Sequence, residues 1–218
     1  MSDVWSNRAE LYRTSATHAS GEDLDAVVEL CDPHAGVKIL DVATGGGHVA
    51  RRLRDAGAQV VTCDASPGMR PDVVTRAEHL PFADGSFDVV VTRIAAHHFD
   101  DLGEAVGEMA RVSNRVVVIE DMLYRTEEEQ EAERLRDPTH RRSLSTDEWH
   151  DVLASAGLEI EQELFFSTEH DMDEWLARTA CAGADAERVR ELLAPFTSDD
   201  GATWSNDYVV LEARKSQS

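Results

Sequence analysis

The chain has 218 residues, of which 43 are acidic and 21 are lysine or arginine, so its net charge at pH 7 is −22. Nucleic acids carry charge of the same sign, and we therefore expect no nucleic-acid partner. No apolar run is long enough to cross a membrane, the N-terminus shows no apolar signal region, and the three cysteines lack metal-ligand spacing, which predicts a reduced cytoplasmic protein with no membrane partner and no metal.

A second feature of the composition is that almost all of the basic residues are arginines. Lys38 and Lys215 are the only lysines of the chain. A protein adapted to a high-salt cytoplasm would combine excess acid with little lysine, and so would an acidic protein from a GC-rich genome that favours arginine. The sequence leaves both explanations open.

Apolar residues recur with the spacing of alternating strands and helices along most of the chain. A polar segment, 1–20, precedes a helix that begins at Gly21 or Glu22 and ends near Leu30. Strands are predicted at 37–42, 59–63, 72–76, 87–92, 115–120, 158–166 and 206–213, and helices at 48–56, 101–112, 126–136, 146–156, 171–182 and 185–194. This alternation is typical of a mostly parallel sheet with helices on both faces, and we expect one domain over 1–218.

The segment VKILDVATGGGHVARRLRDAG, residues 37–57, carries the strongest local signal. Its start predicts a buried parallel strand, and the glycines at 45–47 let a ligand approach the backbone closely. A helix follows, and a second strand then ends in Asp64. This order predicts a site for a nucleoside-containing cofactor, with Asp64 accepting hydrogen bonds from the ribose. The loop also fits the fingerprint G-x-G-x-x-G/A, so a nicotinamide cofactor remains open at this point.

The segment RAEHLPFADGSFDVVVTRIAAHHFDD, residues 76–101, distinguishes between these cofactors. Together with LDVATGGG, it resembles the class I S-adenosylmethionine (SAM)-dependent methyltransferases of the UbiE-like and YcgJ-like group (methyltransferase type 11). The resemblance implies an enzyme that uses SAM and releases S-adenosylhomocysteine (SAH). It also implies a Rossmann-like α/β fold with a seven-stranded, mostly parallel sheet, an antiparallel last strand and helices on both faces.

Two deletions distinguish the chain from this family pattern. Only twelve residues separate Asp64 from Ala77, and a third strand over 72–76 uses five of them. No full helix fits in the remainder, so we expect a shortened helix between strands two and three. Ser113-Asn114 likewise replaces a longer loop before strand five. The less covered sheet face near strands two and three makes a homodimer a reasonable hypothesis.

The resemblance implies a cofactor site built from three segments. Gly45 and Gly47 would bring backbone N–H groups against the methionine end of SAM, with Asp41 ordering the loop and the amino group. Asp64 would bind the ribose, and the backbone carbonyl of Arg93 would face the amino group. The implied cofactor-binding residues are Asp41, Ala43, Gly45, Gly47, Asp64, Ala65, Met69, Ala77, Glu78 and Arg93.

The adenine side of this implied site departs from many relatives at Arg76. Those relatives carry an acid at this position, which accepts a hydrogen bond from the adenine amino group. An arginine side chain only donates hydrogen bonds, so the adenine would be recognised by the backbone N–H of Ala77 or by Glu78.

The tandem histidines after strand four are candidates for proton transfer. His97 and His98 follow the carboxyl end of a parallel strand, where ligands bind in open α/β sheets, and imidazole titrates near neutral pH. Adjacent side chains point in different directions, so we assign His97 to acid–base catalysis and His98 to substrate contact. A purely structural role for both histidines remains open.

Residues 134–149, RLRDPTHRRSLSTDEW, also resemble the YcgJ-like subgroup. They supply His140 as a second candidate base and Arg136 as a clamp for a carboxylate or phosphate, with a solvated loop as the alternative. We expect residues 124–157 to form a cap on the substrate side of the sheet.

The N-terminal segment often closes over SAM in this group. Residues 1–30 would then form a lid and helix that bring Tyr12 and His18 to the substrate. The tryptophans at 149, 175 and 204 are expected to pack in the core rather than to bind.

Three functions agree with the sequence. The first is methyl transfer from SAM to an unidentified small molecule, at carbon, oxygen or nitrogen. The second is a non-catalytic protein of the same fold that acts as a binding or assembly partner. The third is an NAD-dependent oxidoreductase, against which the segment 76–101 argues.

Overall fold

The structure, a computed structural model, describes residues 4–14 and 19–215. The strands are β1 (Lys38–Val42), β2 (Gln59–Asp64), β3 (Val73–Val74), β4 (Phe87–Arg93), β5 (Ser113–Met122), β6 (Leu158–Asp171) and β7 (Thr203–Lys215). The helices are α1 (Val4–Thr14), α2 (Glu22–Leu30), α3 (His48–Asp55), α4 (Leu102–Val112), α5 (Glu127–Arg136), α6 (Thr146–Ser155), α7 (Met172–Ala177) and α8 (Ala184–Leu193). None of these helices has the length and apolar character needed to span a bilayer.

The strands form one sheet in the order β3-β2-β1-β4-β5-β7-β6. Neighbouring strands from β3 to β5 are parallel, and β7 lies antiparallel between β5 and β6. The strand order reverses between β1 and β4, and open α/β sheets bind their ligands at such a reversal. This topology confirms the Rossmann-like methyltransferase fold with its antiparallel last strand.

Apolar residues cover both faces of the sheet, as β4 illustrates. Val89 and Val91 pack on one face with Leu24 of α2 and Leu53 of α3. Val90 points to the other face, where α4 and α6 supply a second cluster. Burial on both faces explains why the inner strands read as continuous apolar runs rather than as alternating patterns.

The connection between β2 and β3 contains a single turn of 3-10 helix, Pro67–Met69, which confirms the shortened helix. In place of a full helix, α1 packs against this turn. The Gly68 backbone N–H donates to Ser6 Oγ at 2.9 Å, and Arg13 donates to the Gly68 carbonyl at 3.0 Å. The N-terminal helix therefore occupies part of the space that the deletion leaves.

Several boundaries differ from the sequence prediction. The segment predicted only as polar, 1–20, contains α1, whose one buried residue is Ala9, so its sequence has almost no apolar periodicity. The helix predicted over 171–182 ends at Ala177, and β6 and β7 are both several residues longer than predicted. The additional residues at the end of β6 and the start of β7 pair with each other and lengthen the antiparallel ladder of these two strands, which are connected through α7 and α8.

Candidate active site

A cavity of about 370 Å³ lies at the carboxyl ends of β1, β2, β4 and β5. Its volume falls within the roughly 300–1,000 Å³ that is usual for small-molecule sites. The strand ends contribute Asp41, Asp64, Arg93 and Met122 to its lining. The opposite side is closed by side chains of α1, α5, α7 and β7 and by Arg178, which follows α7. One cavity therefore extends from the predicted cofactor loop to the predicted cap.

The glycine loop after β1 lines this cavity through Gly45 and Gly46, whereas Gly47, also predicted to bind the cofactor, lies outside the lining. Gly45 and Gly47 adopt left-handed φ values of 51° and 74°, which favour glycine. At Gly46 a Cβ would lie 2.6 Å from the Tyr12 carbonyl oxygen. That carbonyl accepts a hydrogen bond from His48 Nε2 at 2.8 Å, so the end of α1 is held directly over the loop.

Asp64 connects the loop to the end of β2. Its Oδ2 accepts from the Gly45 backbone N–H at 3.0 Å, and its Oδ1 accepts from the Ser66 backbone N–H at 2.8 Å. The carboxylate borders the cavity, as its predicted role toward a ribose requires. The same side chain also holds the shape of the loop.

Asp41 is a buried carboxyl group beside the loop, 2% exposed, and it accepts a hydrogen bond from Thr44 Oγ1 at 2.6 Å. Burial raises the pKa of Asp41 to about 7, and the charge of Asp64 adds to this effect. Among the described residues, no lysine or arginine lies within ion-pair distance of it. A buried acid of this kind fits a ligand that carries an ammonium group, as the methionine end of SAM does.

Ala65, Met69, Ala77 and Glu78, which the sequence predicts to border the adenine, all line the cavity. Burial raises the pKa of Glu78, but hydrogen bonds from backbone N–H groups and the charge of Arg76 outweigh it and lower the pKa. Arg76 turns toward Asp100, at 2.5 Å, and toward Glu78, at 3.2 Å. The charge of Arg76 is therefore neutralised by two acids at the side of the cavity that is predicted to hold the adenine.

Arg93 has a second role that the sequence did not suggest. Its guanidinium donates to Glu120 at 2.6 Å and forms a very short ion pair with Asp23 of α2. The three side chains are almost fully buried, so they join α2 to the ends of β4 and β5. The arginine also borders the cavity, where the backbone carbonyl role stays a prediction.

His97 lines the cavity and is paired with a buried acid. Its Nδ1 lies 2.5 Å from Asp121 Oδ1, and its backbone N–H donates to Asp121 Oδ2 at 2.7 Å. Burial lowers the pKa of His97, but the charge and hydrogen bond of Asp121 outweigh it, and the pKa lies above its ordinary value. Because Asp121 holds the Nδ1 proton, Nε2 is the nitrogen that is left to exchange a proton.

The other two histidines differ from His97 in charge and position. His98 lines the cavity with its ring 4.6 Å from Trp5. Burial and the neighbouring charge of His97 hold its pKa well below the ordinary value. His140 is 4% exposed and lies behind His97, outside the cavity lining. Burial lowers the pKa of His140 to about 2, so its placement does not support the predicted role as a second base.

The cap contributes residues that sequence reasoning missed. Trp175, expected only to pack, stacks on Trp204 at 4.4 Å and also lines the cavity. Arg136 reaches the cavity as predicted, but its guanidinium lies 3.9 Å from the Trp175 ring. Further lining side chains are Trp5, Glu133, Asp137, His170, Arg178, Asn206 and Tyr208. The i, i+3 spacing of Trp175 and Arg178 was the one available sequence signal, because it places both on one side of a helix.

Of the predicted lid residues, Tyr12 lines the cavity and His18 lies outside the described residues. Helix α1 is held across the cavity by Arg8, which donates to Asp137 of the cap at 2.8 Å. Within residues 4–14 and 19–215, no group of histidine, cysteine and acidic side chains has the arrangement of a metal site.

Comparison with known proteins agrees with this geometry. A family model for a methyltransferase domain matches residues 40–115. The chain is 30% identical over 213 residues to the methyltransferase YcgJ of Bacillus subtilis (strain 168), covering 87% of this chain and 82% of that protein. It is 37% identical over 107 residues to a demethylmenaquinone methyltransferase of Paenarthrobacter aurescens (strain TC1), covering 43% of this chain and 42% of that protein.

A crystal structure from Bacillus halodurans C-125, described as that of a methyltransferase, superposes with a TM-score of 0.81 at 26% identity, and the match covers 90% of this chain and 100% of that one. The glycine loop, with two residues at positive φ and no room for a Cβ at Gly46, fits the cofactor of these proteins together with the acid at the end of β2 and the buried Asp41. The chain belongs to the class I SAM-dependent methyltransferases of the UbiE/YcgJ type, and its cofactor is SAM.

Proposed function

We propose that the protein transfers the methyl group of SAM to a small-molecule acceptor that binds under α1, and that His97 accepts the acceptor's proton. The observation that carries this proposal is the arrangement of the cavity, which places the glycine loop and the buried His97–Asp121 pair in one enclosed space. The strongly acidic surface supports a small molecule rather than a nucleic acid as acceptor.

The cofactor would be held by the residues at the strand ends. Asp41 would receive the ammonium group of the methionine end, and the backbone of the loop at Gly45 would contact the same end. Asp64 would accept hydrogen bonds from the ribose, and Ala65, Met69 and Ala77 would enclose the adenine beside Glu78. When bound, SAM supplies a methyl group that is electrophilic because it is attached to a sulfonium.

The protein's own contribution is to position the acceptor and to remove its proton. Holding two reactants in line and excluding water supplies much of the catalysis in such a displacement. His97 would take the proton at Nε2 while Asp121 stabilises the imidazolium that forms. This step is needed only for an acceptor whose nucleophile must lose a proton.

Helix α1 would act as the lid of this site. Trp5 and Tyr12 face the cavity, and the helix is anchored at one end to the glycine loop and at the other to the cap through Arg8 and Asp137. Because the helix covers the space between the loop and the cap, ligands would enter and leave when these contacts open.

Calorimetric titration with SAH, SAM and NAD tests the cofactor assignment. We expect micromolar binding of both sulfur nucleosides and no binding of NAD. Failure of SAH to bind would contradict the proposal and favour a non-catalytic protein of the same fold.

The role of His97 is tested by its pKa, measured from the imidazole resonances in an NMR pH titration. We expect His97 to titrate above the ordinary value in the native protein and at a lower pH in Asp121→Asn, since burial then acts without the compensating charge. With an acceptor identified by label transfer from SAM, His97→Gln should lower kcat by about 10²–10⁴. An unchanged kcat would remove His97 as the base.

A homodimer is a separate proposal, which rests on the short connection between β2 and β3. Val74 of the edge strand is 55% exposed, although α1 covers part of the neighbouring turn. Light scattering at micromolar concentration should show twice the monomer mass; a monomer would contradict it.

A further inference from the structure

We propose that the methyl acceptor carries an anionic group, a carboxylate or phosphate, that binds to Arg178 together with Arg136 at the end of the cavity formed by α7 and β7. The inference rests on the proposed function, because it assigns a substrate class to the same cavity. It is carried by one arginine whose charge has no ion-pair partner among the residues that the structure describes.

Arg178 is the exception among the arginines of the cavity. Arg76, Arg93, Arg136 and Arg141 all line the cavity and all form ion pairs with acidic side chains. Within the described residues, the Arg178 side chain makes no hydrogen bond and no ion pair, and its Nε is buried without a partner. In a chain with 43 acidic residues, a partly buried guanidinium without an acid indicates that a ligand supplies the anion.

Arg136 completes the pair from the neighbouring helix α5. Its charge acts on Arg178, and both arginines lower the pKa of His170, which burial and these charges bring to about 4. Arg136 Nε donates to the Trp175 carbonyl at 3.2 Å, three residues before Arg178, so both arginines lie at the α7 end of the cavity. Glu133 forms an ion pair with Arg136 at 3.2 Å; its charge also acts on Arg178, but the two side chains form no ion pair.

The atoms around the two arginines indicate which other groups the ligand carries. Glu133 Oε1 and Asn206 Oδ1 are buried without hydrogen-bond partners, and both residues line the cavity. The ring of Trp175 supplies a flat apolar surface beside Arg136. The acceptor that matches this set is a small anion with a hydroxyl or N–H group and an apolar or aromatic body.

The carboxylate of the cofactor is a second possible source of the anion, and the topology favours the acceptor. Arg178 follows α7, which packs on β7 through Trp175 and Trp204. The glycine loop follows β1, and β4 and β5 lie between β1 and β7. At about 4.8 Å per strand, β1 and β7 are separated by roughly 14 Å, so the arginine lies toward the acceptor side.

The experiment compares Arg178→Gln and Arg178→Lys with Arg134→Gln. Arg134 is an exposed arginine of α5 outside the cavity lining, so its substitution changes the net charge equally without touching the site. Each protein is saturated with SAH and titrated with benzoate, phenyl phosphate and benzamide by calorimetry, and a thermal melt confirms that each is folded.

We expect the native protein and Arg134→Gln to bind at least one of the two anions and to discriminate against benzamide. Arg178→Gln should weaken that binding roughly 10- to 100-fold, and Arg178→Lys should retain part of it, because the lost interaction is a hydrogen bond to a charged group. If the SAH-loaded native protein binds neither anion at millimolar concentration, or if Arg178→Gln binds them equally well, the inference is wrong.

A second comparison separates the two sources of the anion. SAH carries the methionine carboxylate, and 5′-methylthioadenosine lacks it. If Arg178→Gln weakens binding of SAH but not of 5′-methylthioadenosine, the arginine holds the cofactor and the acceptor assignment is overturned. Equal affinity of the native protein and the variant for SAH supports the acceptor. Failure of the native protein to bind SAH at all would instead overturn the proposed function.

Discussion

The two ends of the cavity are built in different ways. The glycine-loop end consists of residues 41–64, and it offers a glycine backbone that a ligand can approach closely and two strand-end acids. The cap end is assembled from α1, α5, α7, β6 and β7, and it offers long side chains such as Arg178 and Trp175. The first end fits a cofactor that many proteins share, whereas we propose that the second end binds the methyl acceptor of this protein.

The largest effect is expected at the loop end, from Asp64→Ala. This carboxylate would bind the ribose, and it also holds the backbone N–H groups of Gly45 and Ser66. Loss of hydrogen bonds to a charged group should weaken SAH about 100-fold or more. Titration calorimetry measures the change, with Asp151→Ala at an exposed position of α6 as the control. Unchanged SAH affinity would refute the ribose assignment.

The next effect concerns Asp41 and the pH dependence of SAH binding. The pKa of Asp41 is about 7 in the free protein, and the ammonium group of SAH requires the ionised form. Affinity should therefore rise as the pH increases through 7, and below this pH it should fall about tenfold per pH unit. Calorimetry between pH 5.5 and 8.5 measures the slope.

Asp41→Asn provides the control for this slope, because an amide does not titrate. A raised pKa in the folded state means that ionisation of Asp41 destabilises the fold, an effect that begins above the unfolded pKa and is complete above pH 7. The variant should thus bind SAH weakly, with no slope, and melt at a higher temperature than the native protein at pH 8. A slope that persists in Asp41→Asn would assign the pH dependence to another group.

A smaller effect tests the connection between the two ends through α1. Arg8 and Asp137 form an ion pair with side chains 14% and 3% exposed, and Arg8→Gln should release the lid from the cap. We expect SAH to dissociate a few times faster, followed by the fluorescence of Trp5 in stopped flow. Glu10→Gln removes an exposed ion pair of the same helix and should leave the rate unchanged. Equal rates in all three proteins would show that α1 does not limit release.

The smallest effect is expected at Ala43, which borders the glycine loop with a left-handed φ of 54°. A side chain in this region costs roughly 1–2 kcal/mol, and glycine removes that cost but adds freedom to the unfolded chain. Ala43→Gly should therefore change the free energy of unfolding by about 1 kcal/mol or less and preserve SAH binding. Chemical denaturation measures the first and calorimetry the second. A large loss of SAH affinity would give the Ala43 methyl group a direct role in binding.

The sequence alone predicted the strands and the turn of the loop end, because these elements are encoded locally. Two strands, a glycine turn and an acid within 37–64 specify where backbone N–H groups and carboxylates lie, whatever the rest of the chain does. The missing helix between β2 and β3 could be read from chain length, since too few residues remain to form one. The tandem histidines were located, but their difference in charge comes from Asp121, which belongs to another strand.

The tertiary structure alone decided the cap. Helix α1 buries little of its own surface, and its stability comes from partners such as Gly68 and Asp137 that lie far away in the chain. Nothing in the sequence distinguishes Arg178 from an arginine on the surface. Only the packing of α7 against β7 shows that no acidic side chain among the described residues forms an ion pair with it. Backbone geometry is encoded by neighbouring residues, whereas the charge that remains unpaired in a cavity depends on every element that surrounds it.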